Sequence, residues 1–264
     1  MISFVGAGPG APDLLTLRAR DRLAAADAVV WASSLVPEAV LEHVRPGAAV
    51  HDSAAMTLED VLSVYAAAGP GAAVVRLHSG DPSVYGAIQE QIDWCRANGR
   101  AFEIVPGVSS LGAAAAAVGR ELTVPGVAQA VVMTRLGGRT SASMPEGQSV
   151  AGFASAGATM AVFLSAARPA ELAAELLTPA SAYTPRTPAA IVVRASQPEE
   201  QVVATTVGHL ADDLAATGAR TTALVLVGPA LDPGPAARSH LYDPGFAHGF
   251  RRRSRPGTTA GRAR

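Results

Sequence analysis

The chain contains no lysine, and all 21 of its basic residues are arginine. Without a lysine amine there is no Schiff-base nucleophile and no Walker-type phosphate-binding loop. Cysteine is almost as scarce: Cys95 is alone, so it forms neither an internal disulfide nor a cluster of zinc thiolates, and reads as a structural residue on a helix. No apolar run approaches the roughly 20 residues of a membrane span. The first residues, Met1 to Gly6, read directly as a strand with no basic leader, so the expectation is a cytoplasmic protein without a membrane partner. Histidine is present but scattered, with His43, His51 and His78 far apart and His240 and His248 near the end, a spacing that suits no bound metal.

Charge is lopsided behind a formal net of −1. Six arginines follow Phe250 with no acid among them, which leaves 15 arginines against 22 acids, a net of −7, in the first 250 residues. A nucleic-acid-binding core carries the opposite sign, so no nucleic-acid partner is expected. With 49% hydrophobic residues over 264 positions, the chain has enough apolar material for one large α/β domain or two smaller ones.

Periodicity predicts strands at residues 2–5, 28–31, 73–77 and 102–105, separated by helices at 17–26, 37–43, 58–67, 86–98 and 109–118, with Thr16 capping the first helix. Strands alternating with helices imply a mostly parallel sheet. After Arg120 the pattern changes. Strands at 128–133, 159–164, 189–193, 201–206 and 223–227 are only partly separated by helices, which suggests a mixed sheet. The expected organisation is α/β in two domains, 1–120 and 121–231. A Pro-, Gly- and Arg-rich tail over 232–264 is expected to be disordered.

Three turns carry chemistry. Val5 to Thr16 follows the first strand with Gly6-Ala7-Gly8-Pro9-Gly10-Ala11-Pro12, which looks like a dinucleotide fingerprint but fails as one. Pro9, Pro12 and Asp13 keep the loop from opening directly into a helix, and the second strand ends Val30-Trp31-Ala32-Ser33-Ser34 without the acid that would hold a ribose. The second turn is Gly80-Asp81-Pro82-Ser83-Val84-Tyr85-Gly86, where an apolar run stops and a helix restarts, at the strand end where open α/β sheets bind ligands. The third is Val105-Pro106-Gly107-Val108-Ser109-Ser110.

In this order and form the three turns resemble the signatures of the tetrapyrrole (corrin and porphyrin) methyltransferase family, and the resemblance spans about residues 1–231. Within the family, Ser33 to Pro37, Asp52-Ser53-Ala54 and above all Thr134-Arg135-Leu136-Gly137-Gly138-Arg139-Thr140, closed by Pro145-Glu146, look like the members that methylate ring carbon 11 of precorrin-4. Two departures are an alanine at Ala128, where a serine is common, and the inserted Ser141 to Met144. The resemblance implies a small-molecule tetrapyrrole substrate, metal-free or carrying cobalt, a homodimer, and S-adenosylmethionine folded into an interdomain cleft. It places Pro9, Gly80, Asp81, Pro82, Val84, Tyr85, Ser109 and Ser110 against the cofactor from the first domain, and Leu164, Ala195 and Ala223 from the second. Core packing is the alternative reading of the last three.

A sulfonium methyl is already activated, so alignment is the protein's main task. Asp81, His78 and Glu146 are candidates for a general base, with Asp81 also readable as a turn-forming, cofactor-orienting residue. Acetate and propionate groups on the substrate call for cationic donors, a role that suits Arg135 and Arg139. Other methylases of the family, such as those for uroporphyrinogen-III or precorrin-3, remain alternatives. Relatives of the fold that modify RNA or protein are disfavoured by the acidic core and the 134–140 segment, and a cofactor-binding module without catalysis is a third possibility.

Overall fold

Each half of the chain builds one five-stranded sheet in the computed structural model, which describes residues 1–137, 142, 144–234, 238–243, 245–251 and 253. The first half contains β1 (Ile2–Gly6), β2 (Ala28–Trp31), β3 (Ala49–Asp52), β4 (Val74–His78) and β5 (Phe102–Val105), with α1 (Leu17–Ala24), α2 (Leu58–Ala67), α3 (Gln89–Ala97) and α4 (Ser110–Val118) after them. The strands lie in the order β3-β2-β4-β1-β5, and every pairing is parallel. Both faces of this sheet are covered, which is why β1 is an unbroken buried run. Val5, Val29, Val75, Leu77 and Val105 pack with Ala19 and Leu23 of α1. Ile2, Phe4, Val30 and Val74 face the other way, onto Val61, Tyr65, Ile92 and Cys95 of α2 and α3. Cys95 is thus a buried core residue, as expected.

The second half contains β6 (Val131–Arg135), β7 (Thr159–Phe163), β8 (Pro188–Val193), β9 (Gln201–Thr206) and β10 (Ala223–Val227), ordered β6-β7-β10-β8-β9. Only β6 and β7 are parallel, so the sheet is mixed as expected. Helices α5 (Val150–Ala154), α6 (Pro169–Leu176) and α7 (Leu210–Ala216) cover one face, over Met160, Val162, Ile191 and Val225. The alternate residues Ala161, Ala190, Val192, Leu224 and Leu226 point to the opposite face, where Ala114 of α4 packs on them. Helix α4 therefore belongs to the first half in sequence and to the second in packing, and it joins the two sheets beside the cleft.

Several boundaries differ from the sequence expectation for identifiable reasons. The helix expected at 86–98 starts only at Gln89, because Tyr85 and Ala87 hold positive φ angles of 56° and 48°. Residues 37–43 form a six-residue 3-10 turn, Glu38–His43, and not an α-helix. The strand expected at 128–133 is Val131–Arg135, since Val124 and Ala128 close a tight turn before it. Edge strand β3 was not expected; it is mostly exposed and has no apolar run to announce it. Just before the expected tail, Ala230 and Leu231 are buried in a 3-10 turn. Further on, His240–Tyr242 forms another turn and Arg251 donates to the carbonyls of Asp243 and Phe246. Among the described residues no helix is long and apolar enough to cross a membrane, and no three metal-ligating side chains converge.

Candidate active site

The three sequence turns interlock at the carboxyl ends of β1, β4 and β5. Gly80 donates its N–H to the Gly8 carbonyl at 2.7 Å and accepts from the Gly8 N–H at 3.2 Å, so the first two turns are stitched backbone to backbone. Gly80 does this at φ 66°, a conformation that glycine adopts without strain. The third turn is pressed against both. A Cβ on Gly107 would sit 2.1 Å from the Gly80 carbonyl oxygen and 2.7 Å from the Gly6 Cα. Asp81 completes the knot, because its two carboxylate oxygens accept from the N–H groups of Gly107 and Ser83, each at 2.8 Å. Partial burial works against ionisation of Asp81, yet these hydrogen bonds outweigh it and hold its pKa below the usual carboxylate range.

Above this knot lies a cavity of about 420 Å³, bounded on its far side by the ends of β7, β8 and β10. Its volume is within the roughly 300–1,000 Å³ typical of small-molecule sites. Of the residues that the resemblance assigns to the cofactor, Pro9, Gly80, Asp81, Val84, Tyr85, Ser109 and Ser110 line it from the first sheet, and Leu164, Ala195 and Ala223 from the second. Leu164 is 65% exposed, so core packing does not explain its position. Pro82 is not on the wall, and its ring serves to fix the turn. Ser109 caps α4 by accepting from the Leu111 N–H, which aims the start of that helix at the cavity.

The base candidates separate clearly. His78 lines the cavity, but burial foremost, with the nearby Arg76 charge, pushes its pKa down to about 3, so it is a poor proton acceptor. Glu146 is exposed and is not among the lining residues. Asp81 is committed to two backbone donors. Arg135 sits at the end of β6 in register with Phe163, one residue removed from the wall that Phe163 lines. The Tyr85 phenol is pushed up by burial, against the pull of the Arg135 charge. Arg139, with the rest of 138–141, lies outside the described residues.

Sequence reasoning missed a set of wall residues. Arg76, Arg194 and Arg220 line the cavity with Asp81, giving it a cationic balance inside an acidic core. Among the described residues six non-glycine positions hold positive φ, and four of them are on the wall: Tyr85, Leu164, Arg194 and Thr222, at 56°, 53°, 48° and 53°. The other two, Ala87 and Ser196, adjoin it. Such backbone strain costs about 1–3 kcal/mol per residue and collects at functional sites. The strain is a property of the folded backbone, so nothing in the local sequence signals it. Two hydrogen bonds also cross the cleft: Ala11 N–H donates to Ser196 Oγ at 3.1 Å, and Gln197 Nε2 donates to the Pro9 carbonyl at 3.2 Å.

The model of the Tetrapyrrole (Corrin/Porphyrin) Methylases matches residues 1–211. The chain belongs to that family. Among its relatives, this methylase is 43% identical over 253 residues to a precorrin-4 C(11)-methyltransferase of Sinorhizobium sp, covering 96% of this chain and 98% of the other. Its fold matches the X-ray structure of a cobalt precorrin-4 methyltransferase with a TM-score of 0.83 at 40% identity, over 88% of this chain and 96% of that one. It also matches uroporphyrin-III C-methyl transferase from Thermus thermophilus complexed with S-adenyl homocysteine, with a TM-score of 0.71 at 30% identity over 88% and 93%. The two-sheet architecture of the methylase is thus that of its family.

Proposed function

We propose that this methylase transfers a methyl group from S-adenosylmethionine to ring carbon 11 of precorrin-4, giving precorrin-5 in corrin assembly. The observation that carries the reading is end-to-end likeness, 43% identity across 96% of this chain and 98% of a relative of that name. The relative named for the metal-free substrate and the structure named for the cobalt form are about equally similar, at 43% and 40%, so the reading covers both forms. As in the sequence reading, the enzyme is taken to be a cytoplasmic homodimer, and sedimentation of the purified chain checks the dimer.

The residues of the cavity fit the cofactor. Leu164, Ala195 and Ala223 offer apolar surface to a purine, while Pro9, the Gly80-Asp81 turn, Val84, Tyr85 and the Ser109-Ser110 start of α4 offer backbone and hydroxyl groups opposite. S-adenosylmethionine supplies the activated methyl when bound. The chain's own contribution is to hold the turns rigidly, exclude water and present the acceptor carbon in line, which is a large part of what a reaction of this kind requires. Asp81 acts as a positioning residue, since its carboxylate fixes the second turn to the third. Arg135 and Arg139 remain candidates for carboxylate groups of the substrate.

Purified protein incubated with S-adenosylmethionine and precorrin-4, metal-free or cobalt-bearing, is expected to add one methyl group to at least one of them by mass spectrometry. Uroporphyrinogen-III should stay unmodified. Transfer to uroporphyrinogen-III alone, or to neither precorrin form, would contradict the reading.

A further inference from the structure

Arg76 is a cation with no counter-charge among the described residues. It projects from the middle of β4 on the face shared with α2 and α3, and it lines the cavity near the end of that strand. Its hydrogen bonds to the described residues all leave from one nitrogen: Nη1 donates to Ser53 Oγ at 2.9 Å and more weakly to the carbonyls of Val30 and Leu77. Ser53 is itself fixed, donating to the Trp31 carbonyl at 2.8 Å. Among the described residues the buried Nε–H has no acceptor, Nη2 makes no hydrogen bond, and no carboxylate pairs with this side chain.

The side chain is therefore held by one prong while its Nε–Nη2 edge is left open. That edge has the fork geometry that receives a carboxylate in bidentate fashion. His78 lies two residues on, on the same face, lines the same cavity, is only 6% exposed, and has an Nε2 that also lacks a partner. A buried polar group without a partner is costly, and in a ligand-binding cavity two such groups together point to a missing ligand atom. Arg100, also short of acceptors, does not line the cavity, so the inference is confined to Arg76.

We propose that Arg76 anchors a carboxylate of the bound reactants, with the His78 imidazole as a second hydrogen-bonding group. The proposal rests on the functional reading above, which supplies two sources of that chemistry: an acetate or propionate of the tetrapyrrole, and the amino-acid carboxylate of the cofactor. A guanidinium pinned through Ser53 sets the position of the carboxylate, and through it the orientation of the whole reactant. Arg76 is thus a positioning residue.

Arg76→Met is the primary test, because replacing this partly buried cation with an apolar chain of similar length leaves Ser53 still bonded to Trp31. The unliganded variant is expected to melt no lower than the wild type. Calorimetry with two probes, S-adenosylhomocysteine and uroporphyrin, then reads the source. A loss of about ten-fold or more for uroporphyrin alone assigns the tetrapyrrole carboxylate, and the same loss for S-adenosylhomocysteine alone assigns the cofactor carboxylate. In turnover, the matching KM rises while kcat at saturation is kept, and Arg76→Lys recovers part of the loss. Affinities for both probes within about two-fold of wild type in a folded variant overturn the proposal. Should Arg76→Met not fold, Arg76→Lys, which keeps the charge without the fork, is expected to lose about three-fold or more in affinity for one probe, and unchanged affinity for both overturns the proposal. Because neither probe reacts, a wild-type protein that methylates no precorrin would sink the function while leaving this test standing.

Discussion

Glycine and histidine carry the sharpest consequences at the scale of single residues. Gly107→Ala forces a Cβ to within 2.1 Å of the Gly80 carbonyl, so at least one of the interlocked turns must move. The expected cost is about 1–3 kcal/mol of stability, typical of overpacking, together with weaker S-adenosylhomocysteine binding. Gly112→Ala is the control. It lies on α4 with nothing near its Cβ position, and should stabilise by up to about 1 kcal/mol. Chemical denaturation and calorimetry on both variants check the contrast. His78 gives a pH dependence whose sign is fixed. Its folded pKa is lowered from 6.5 to about 3, so on acidification the unfolded chain takes up a proton that the folded one refuses. Stability should therefore fall as pH drops through that window, and His78→Gln should remove this part of the slope in denaturation curves taken between about pH 7 and about pH 4. The motif residues of the site were legible because the chemistry of a turn is written in adjacent letters such as Gly80-Asp81-Pro82. Arg76 and Arg194 were not, because an arginine on a strand or loop looks alike whether it meets solvent, an acid or a cavity.

Between elements, the loop after β8 is the part with the most direct mechanical role. Ser196 and Gln197 reach across the cleft to Ala11 and Pro9 of the first turn, and Gly10 lies so close that a Cβ there would be 2.3 Å from the Gln197 side chain. Each hydrogen bond is worth about 1 kcal/mol. Ser196→Ala and Gln197→Ala should each speed release of S-adenosylhomocysteine by about five-fold without altering the circular dichroism spectrum. Stopped-flow dissociation rates check this. The unbroken apolar run Ala223–Val227 was readable from sequence to the residue, and so was Phe102–Val105, whose one charged residue, Glu103, lies between apolar neighbours. Those governed by pairing or by backbone strain were not. The exposed edge strand Ala49–Asp52 owes its existence to β2 beside it, and the late start of α3 follows from the positive φ at Tyr85 and Ala87. Neither cause is local to the letters concerned.

On the scale of the whole molecule, two sheets of different topology share α4, and the cleft between them is where an acidic protein turns a cationic wall inward. Alternating strands and helices predicted the parallel first sheet, and their loss of alternation after Arg120 predicted the mixed second one. The cross-cleft bonds, and the docking of α4 on the second sheet, emerge only when both halves are folded. The central claim, that this cleft aligns a cofactor methyl with one carbon of a corrin precursor, is tested most directly by using S-adenosylmethionine labelled with carbon-13 in its methyl group. Nuclear magnetic resonance of the product formed from precorrin-4 should then show a single new labelled methyl bonded to ring carbon 11. A label on any other carbon, or no label in the product, would contradict it.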